Sequence, residues 1–331
     1  MSKQAKTNLE DQIRSQPDEL FRLLTSESSR EQTHAAAEGL QRSRRIWVVG
    51  TGTSHHAAIL GAGMLQDAGR SAVAVSSMRF VVWAPIVGPD DAIILITHTG
   101  ETAYALAARA LATTAGLDVI TITKRGTPFP HAVETCPRET SETYTVSYTT
   151  ALLALAMIAK EMGAESITED SLPLVPGAVR NAVETPGVES IHVPERTLVI
   201  AGAGPAAYTA REGALKLREG ARVMAEGHDI EYLLHGSAVP LDRRDALLSL
   251  TTPDADGFIE GVTAAAAAEG IPVSMLAEPA PLPMLLAQIP LTVRLQLLAL
   301  RFALERGQDP DTVITGGWAD ERLWLLGRPD G

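Results

Sequence analysis

Residues 45–57 read Arg-Ile-Trp-Val-Val-Gly-Thr-Gly-Thr-Ser-His-His-Ala, and they decide the fold class. The first five of these residues are predominantly apolar, which predicts a buried strand. Glycine and hydroxyl residues at 50–54 predict a loop, and the small residues at 55–67 predict a helix. A buried strand that enters a helix through a glycine-rich loop is typical of a parallel sheet covered by helices.

The alternation of strands and helices begins again after a stretch that contains proline and glycine at 172–177, which predicts a linker. In the first half we predict strands at 71–75, 92–97 and 119–123, and helices at 102–114 and 148–162. In the second half we predict strands at 197–200, 246–250 and 272–275, and helices at 206–226 and 291–304. The fold class is therefore α/β, with two doubly wound lobes that each consist of a parallel sheet flanked by helices.

This pattern divides the chain into five segments. We expect an N-terminal helical segment at 1–40, the first lobe at 41–165, the linker at 166–190, the second lobe at 191–308 and a C-terminal tail at 309–331.

Composition narrows the range of partners. The 28 basic and 40 acidic residues give a net charge of -12, which disfavours a broad surface for nucleic acid or anionic membrane, so an anion must bind in a local pocket. The lone Cys136 excludes an internal disulfide framework and fits a reducing cytoplasm. Residues 1–24 lack the apolar core of a signal peptide. We therefore expect a cytoplasmic protein with no nucleic-acid partner and no membrane contact.

Two loops, residues 52–54 and 97–102, lie between the end of a predicted strand and the first turn of the next helix. Backbone N–H groups at a helix start, hydroxyl donors and close-fitting glycines together bind an anion such as phosphate. The alternative is that these residues only cap their helices. A dinucleotide site fits less well, because position 55 is His where Gly-x-Gly-x-x-Gly needs glycine. The candidate anion-site residues are Gly52, Thr53, Ser54, Thr97, His98, Thr99, Gly100 and Thr102.

Glu212, Lys216 and Glu219 are spaced by four and three residues, which places them on one face of the predicted helix. A carboxylate in such a group can act as a general base if its surroundings bring its pKa toward neutral. The alternative is a solvated, salt-bridged helix face.

His235 follows what we predict to be a short helix, and a histidine there can move a proton near neutral pH or act as a structural hydrogen-bonding residue. The eight histidines have no metal-binding spacing, and Cys136 lies in no recognisable nucleophile motif. We expect neither a metal nor another cofactor.

Several segments together resemble the sugar-isomerase (SIS) family, and within it the isomerase part of glucosamine-6-phosphate synthase. The resemblance covers nearly the whole chain, and its most specific motif is Glu-Gly-Ala-Leu-Lys-Leu-Arg-Glu at 212–219. The segments are Gln16-Pro17-Asp18-Glu19-Leu20, Gly52-Thr53-Ser54, residues 97–102, Tyr148-Thr149-Thr150, residues 212–219 and His235-Gly236.

The resemblance implies a role for each candidate. Glu219 corresponds to the family's catalytic glutamate, which moves a proton between C1 and C2 of the sugar, and Glu212 and Lys216 flank it. His235 corresponds to the histidine that opens the sugar ring, which the family's enzyme donates across a dimer interface. The resemblance thus implies a homodimer with its active site at the interface. The family's phosphate loop corresponds to Ser54, Thr97, His98, Thr99 and Thr102.

The chain also departs from the family pattern. It begins at Met1 without the family's glutaminase domain, so we expect no ammonia from glutamine. Counted from Asp309-Pro310-Asp311, the family's imine-forming lysine falls on Trp318. In the anion loop His98 replaces glutamine, and threonines replace two serines.

We therefore expect an aldose-ketose isomerase of a phosphorylated hexose or amino-hexose. An amino-sugar deaminase or a fructosamine-phosphate deglycase can use the same base, and a non-catalytic sugar-phosphate sensor is an alternative of another class.

Overall fold

The computed structural model describes residues 6–83, 85–252, 257–320 and 322–323. These residues divide into two compact units. The first unit comprises the described residues of Asp18–Glu139, Val146–Pro173 and Ile314–Gly331. The second unit comprises those of Met1–Pro17, Thr140–Thr145 and Leu174–Val313.

The first unit contains a five-stranded parallel sheet in the order β2-β1-β3-β4-β5. The strands are β1 (Arg45–Gly50), β2 (Ala72–Ser76), β3 (Asp91–Ile96), β4 (Asp118–Thr123) and β5 (Ala132–Glu134). The helices from the start of the chain onward are α1 (Asn8–Thr25), α2 (Glu27–Leu40), α3 (Thr53–Asp67), α4 (Ser77–Val82), α5 (Ala103–Thr114) and α6 (Val146–Glu161).

The sheet of the first unit is buried because both of its faces are covered. On one face, Trp47 and Val49 of β1 pack in a cluster with Phe80 of α4 and Ala105 of α5. The neighbouring β1 residues Ile46 and Val48, which point to the other face, are fully buried as well. An apolar run buried on both faces is what the sequence predicted for β1.

The second unit repeats this arrangement with a four-stranded parallel sheet in the order β7-β6-β8-β9, which matches β2-β1-β3-β4. The predicted pair of doubly wound parallel sheets is thereby confirmed. The strands are β6 (Leu198–Gly202), β7 (Ala225–Asp229), β8 (Ala246–Thr251) and β9 (Val273–Ala277). The helices are α7 (Val175–Glu184), α8 (Pro205–Ala221), the short α9 (Ile230–Tyr232), α10 (Phe258–Ala268) and α11 (Met284–Glu305).

Two predicted helix boundaries are wrong. Helix α8 ends at Ala221 instead of continuing to Glu226, because Arg222 adopts a left-handed conformation (φ 54°) and Glu226 belongs to β7. The predicted linker 172–177 contains a 3-10 turn and the start of α7, whose first turn accommodates proline. Helix α11 begins at Met284 and contains Pro290, whereas the prediction began at residue 291.

Helix α11 is long and apolar enough to span a membrane, judged by length and composition alone. Of its most apolar window, however, 89% is buried within the protein. Leu291, Leu295 and Phe302 of α11 belong to the same core cluster as Ala214 and Leu217 of α8. The apolarity of α11 is therefore that of a core helix.

Candidate functional site

Residues 52–54, the first of the two candidate anion loops, close tightly over the end of β1. A side-chain carbon at Gly50 would lie 2.3 Å from the backbone oxygen of Ser54, so only glycine permits this approach. Gly52 adopts φ 56°, a conformation that glycine accepts readily, and α3 begins at the next residue, Thr53. Residues 52–54 therefore lie at the positively polarised N-terminal end of a long helix.

The second anion loop joins β3 to α5. The backbone N–H of Thr97 donates to Ile122 O (3.0 Å), whereas its buried hydroxyl has no hydrogen-bond partner among the described residues. Thr99 Oγ1 accepts from the backbone N–H of Glu101 (3.2 Å), in a loop that turns at Gly100 (φ 70°). Thr102 is the N-cap residue of α5, yet its side chain makes no capping hydrogen bond. The Thr97 and Thr102 hydroxyls are thus not used as caps, which supports the anion-site interpretation.

The two loops lie side by side at the carboxyl edge of the sheet, because β1 and β3 pair in parallel with Val49 opposite Leu95. Thr53 and Ser54 from the first loop and His98 from the second line the same small cavity. The structure therefore brings these predicted residues together. Ser147 and Tyr148 of α6 also line this cavity, and the sequence did not mark them as site residues.

His98 has a defined tautomer in its neutral form. Its Nε2 accepts a hydrogen bond from the backbone N–H of Glu139 (3.0 Å), so the proton is on Nδ1. Burial lowers the pKa of His98 below its usual value; the Glu139 carboxylate opposes this shift, while Lys124 and Arg138 reinforce it. The imidazole is therefore neutral at physiological pH and adds no positive charge to the anion loop.

His98, Cys136 and Glu139 place potential metal-ligand atoms within 4.8 Å of one another. Two of the three groups already accept hydrogen bonds within the protein. Burial raises the pKa of the Cys136 thiol to about 12. The Glu139 carboxylate accepts from the backbone N–H groups of Val146 (3.1 Å) and Ser147 (2.8 Å) at the start of α6. These donors and acceptors are engaged in structural hydrogen bonds, and the expected absence of a metal stays a prediction.

The second candidate group lies on α8. Lys216 Nζ is 2.6 Å from Glu219 Oε2 and 3.5 Å from Glu212 Oε1. Glu212 and Lys216 are fully buried, and 22% of the Glu219 side chain is exposed. The burial excludes the alternative of a solvated helix face. Of the three charged groups, the Glu219 carboxylate is thus the accessible one.

The burial of this group follows from close helix packing. A side-chain carbon at Gly213 would lie 2.5 Å from Leu295 Cδ1, so the glycine lets α11 approach α8 at the turn that carries Glu212 and Lys216. Two carboxylates share one ammonium group there. The ammonium group lies between the two carboxylates and fixes the orientation of the outer one.

His235 lies in a single π-helical turn (Leu233–Ser237) after α9, where Gly236 adopts φ 119°. Leu233 is buried and anchors the turn, whereas the His235 side chain is exposed. Within the described residues the His235 side chain makes no hydrogen bond or ion pair, and the structure does not link it to Glu219 by either contact. Trp318 is 77% exposed in a 3-10 turn (Gly316–Ala319).

Residues 39–161, which hold both anion loops, match the family model of the SIS domain. This segment is a SIS domain. Glutamine–fructose-6-phosphate aminotransferase (isomerizing) from Pyrococcus horikoshii is 33% identical over 222 residues, which cover 60% of this chain and 36% of that protein. The chain spans between 36% and 39% of the length of the first curated relatives that it matches.

Solved structures share the fold of the SIS domain and of the second unit. Tagatose-6-phosphate ketose/aldose isomerase from Escherichia coli matches with a TM-score of 0.77 at 20% identity, over 93% of this chain and 96% of that one. Glucosamine-6-phosphate deaminase from Thermotoga maritima matches with a TM-score of 0.76 at 19% identity, over 93% and 97% of the two chains. The predicted resemblance to the SIS family is confirmed, and identities this low describe the fold alone.

Two residues beside the anion loop were missed by the sequence analysis. Glu139 fixes the tautomer of His98 through its backbone N–H, and no local pattern predicts a contact between residues that far apart in the chain. Lys124 directly follows β4, and its backbone N–H donates to His98 O (3.1 Å). Its position after a strand is the same signal that identified Thr97 after β3.

Proposed function

We propose that the protein is an aldose-ketose isomerase that acts on a phosphorylated hexose or amino-hexose through an enediol intermediate. The observation that carries this proposal is the Glu212–Lys216–Glu219 group, in which Glu212 and Lys216 are buried and the Glu219 carboxylate is partly exposed. A proton next to a sugar carbonyl is only weakly acidic, so isomerisation needs a carboxylate that is fixed in position and accessible. In our proposal Glu219 is that base, and Lys216 holds it in place.

The anionic end of the sugar is bound, in our proposal, by the SIS domain. The helix starts of α3 and α5 and the hydroxyls of Ser54, Thr97, Thr99 and Thr102 supply the donors. Binding energy from this remote group would hold the reacting carbons in register with the base.

His235 is proposed to open the cyclic sugar before proton transfer. Its exposed imidazole, on a turn fixed by Leu233 and Gly236, is available to a substrate or to a second copy of the chain. From the resemblance to the synthase we propose that it acts across the interface of a cytoplasmic homodimer. Sedimentation of the purified protein tests the dimer, which monomeric behaviour at working concentrations would exclude.

A deaminase or deglycase is the main alternative, because the same base can remove the same proton before an amine leaves. Trp318 replaces the family's imine-forming lysine, which favours reactions that form no imine with the protein. Isomerisation through an enediol is such a reaction, so Trp318 does not separate the isomerase from the deaminase or deglycase. A sugar-phosphate sensor is the alternative of another class, and it needs neither Glu219 nor His235.

Deuterium exchange distinguishes these reactions. The wild type and Glu219→Gln would be incubated in deuterated water with fructose-6-phosphate, glucose-6-phosphate and glucosamine-6-phosphate, and deuterium at C1 and C2 and free ammonia would be followed by NMR and by ammonia assay. Glu305→Gln changes an exposed glutamate on α11 and is the matched control.

We expect the wild type and the control to exchange, and the Glu219 variant to lose about two to four orders of magnitude in rate. Ammonia release would indicate the deaminase. Binding without exchange for all three sugars would contradict the isomerase and favour the sensor.

A further inference from the structure

Lys124 is tied through its backbone to the second anion loop. Its N–H donates to His98 O (3.1 Å), and its own carbonyl oxygen accepts from Thr127 Oγ1 (2.9 Å). The hydroxyl of the preceding residue, Thr123, also donates to His98 O (3.3 Å). The backbone of Lys124 is therefore fixed beside the loop that carries Thr97 and Thr99.

The described chain contains four lysines, and Lys124 alone among them has no carboxylate partner. Lys6 pairs with Asp11, Lys160 with Glu161 and Glu169, and Lys216 with Glu212 and Glu219.

The other cations near the loop are also engaged. Arg138 holds the Glu101 carboxylate with two hydrogen bonds (2.6 and 2.9 Å), and Arg125 pairs with Glu19 (3.1 Å). Of the described residues Lys124, Arg125 and Arg138 beside the loop, Lys124 is thus the one that pairs with no carboxylate.

The Lys124 charge acts on the loop. It lowers the pKa of His98, after burial has the larger effect, and it lowers the pKa of Glu101 in the same direction as the Arg138 hydrogen bond. Both groups belong to the segment 97–102, so the ammonium is close enough to influence an anion held there.

Tight binding of a dianion by this protein requires a positive charge in addition to neutral hydrogen-bond donors. The net charge of -12 repels it, the loop hydroxyls are uncharged and the imidazole of His98 is neutral. A compact ammonium is a strong partner for a phosphate group, and the backbone that carries the Lys124 side chain is fixed beside the loop.

We propose that Lys124 binds the anionic group of the substrate and makes the site selective for a dianion, that is, a phosphate monoester. The inference rests on the proposed sugar-phosphate function for the identity of the substrate. Lys124 then provides the countercharge that the neutral His98 does not.

Binding of inorganic phosphate and of fructose-6-phosphate tests this assignment by isothermal titration calorimetry at low ionic strength. Lys124→Met removes the charge with little change in length, and Lys124→Arg keeps the charge. Lys160→Met is the matched control, because it removes a lysine of the same unit whose ammonium has carboxylate partners. Where exchange or isomerisation is observed, KM and kcat are measured as well.

We expect Lys124→Met to weaken binding of both ligands by roughly tenfold or more, and to raise KM with little change in kcat. Lys124→Arg should recover most of the affinity, and Lys160→Met should bind like the wild type. Equal affinity of wild type and Lys124→Met, or no phosphate binding by the wild type, would overturn the assignment.

The same measurements separate this inference from the proposed function. Phosphate binding that depends on Lys124 without any sugar exchange would keep the anion assignment and contradict the isomerase. Isomerisation with an unchanged KM in Lys124→Met would keep the isomerase proposal and contradict the assignment of Lys124.

Discussion

Replacing Lys216 by methionine removes an ammonium group that lies 2.6 Å from Glu219 and 3.5 Å from Glu212. Lys216 is fully buried, and so is Glu212, whose carboxyl group in the variant lies beside a second carboxyl group without this cation. Removing one partner of a buried ion pair costs about 3–5 kcal/mol of unfolding free energy, because the remaining charge stays desolvated. We expect a loss in this range for Lys216→Met.

Two further variants show whether the loss comes from the buried charge. Lys160→Met removes an ammonium on the surface of α6 and should cost less than about 1 kcal/mol, because water screens such pairs. The double variant Glu212→Gln with Lys216→Met should recover most of the loss, since it removes the uncompensated charge together with its partner.

The assay must report the unfolding of the second unit, which contains α8. The described tryptophans, Trp47, Trp83 and Trp318, all lie in the first unit, so their fluorescence does not report on α8. We would record urea unfolding by far-UV circular dichroism and measure hydrogen exchange of peptides from α8 (Pro205–Ala221) by mass spectrometry. A loss below about 1 kcal/mol for Lys216→Met, equal to that of Lys160→Met, would refute the reasoning from burial.

Two predictions concern the first unit and can use tryptophan fluorescence. Because burial lowers the pKa of folded His98, the folded state resists protonation, and its unfolding free energy should fall as pH drops below about 6.5, by up to about 1.4 kcal/mol per pH unit. His98→Gln should reduce this dependence in urea unfolding, with His131→Asn, an exposed histidine of the same unit, as control. An equal pH dependence in His98→Gln and wild type would contradict the expectation. Gly50→Ala places a carbon 2.3 Å from Ser54 O and should cost about 1–3 kcal/mol or more, whereas Gly39→Ala meets only Ile120 Cδ1 at 3.9 Å and should be neutral or slightly stabilising. A thermal unfolding midpoint of Gly50→Ala equal to that of Gly39→Ala would show that the loop tolerates a side chain.

The fold was predictable because its signals are local. Buried parallel strands are short apolar runs, and Arg45–Gly50, Asp91–Ile96 and Ala246–Thr251 agree with their predictions to within about one residue at each end. The end of α8 was not predictable in this way. The sequence Arg-Val-Met-Ala-Glu after Ala221 is compatible with a helix, and it is the left-handed Arg222 and the pairing of β7 with β6 that end it.

The candidate sites divide in the same manner. Helical spacing predicted that Lys216 would meet Glu212 and Glu219, and the distances agree. Spacing could not predict their burial, because the covering helix α11 comes from residues far along the chain. The tautomer of His98 and the availability of Lys124 depend likewise on partners that local sequence does not show.

The two units have the same backbone at the first loop of each sheet, but different chemistry. Gly52 and Gly204 adopt φ 56° and 54° with ψ -126° and -127°, and Gly50 and Gly202 each allow an equally close approach of the following helix.

In the first unit this loop leads into Thr53 and Ser54, which bring hydroxyls to the helix start. In the second it leads into Pro205 and two alanines, and proline removes an N–H donor from the very place where an anion would bind. The two units thus share the backbone of this loop but differ in the hydrogen-bond donors that it presents. In our proposal the anion binds at the loop of the first unit, where the hydroxyls and N–H donors lie, and the second unit's loop is not an anion site.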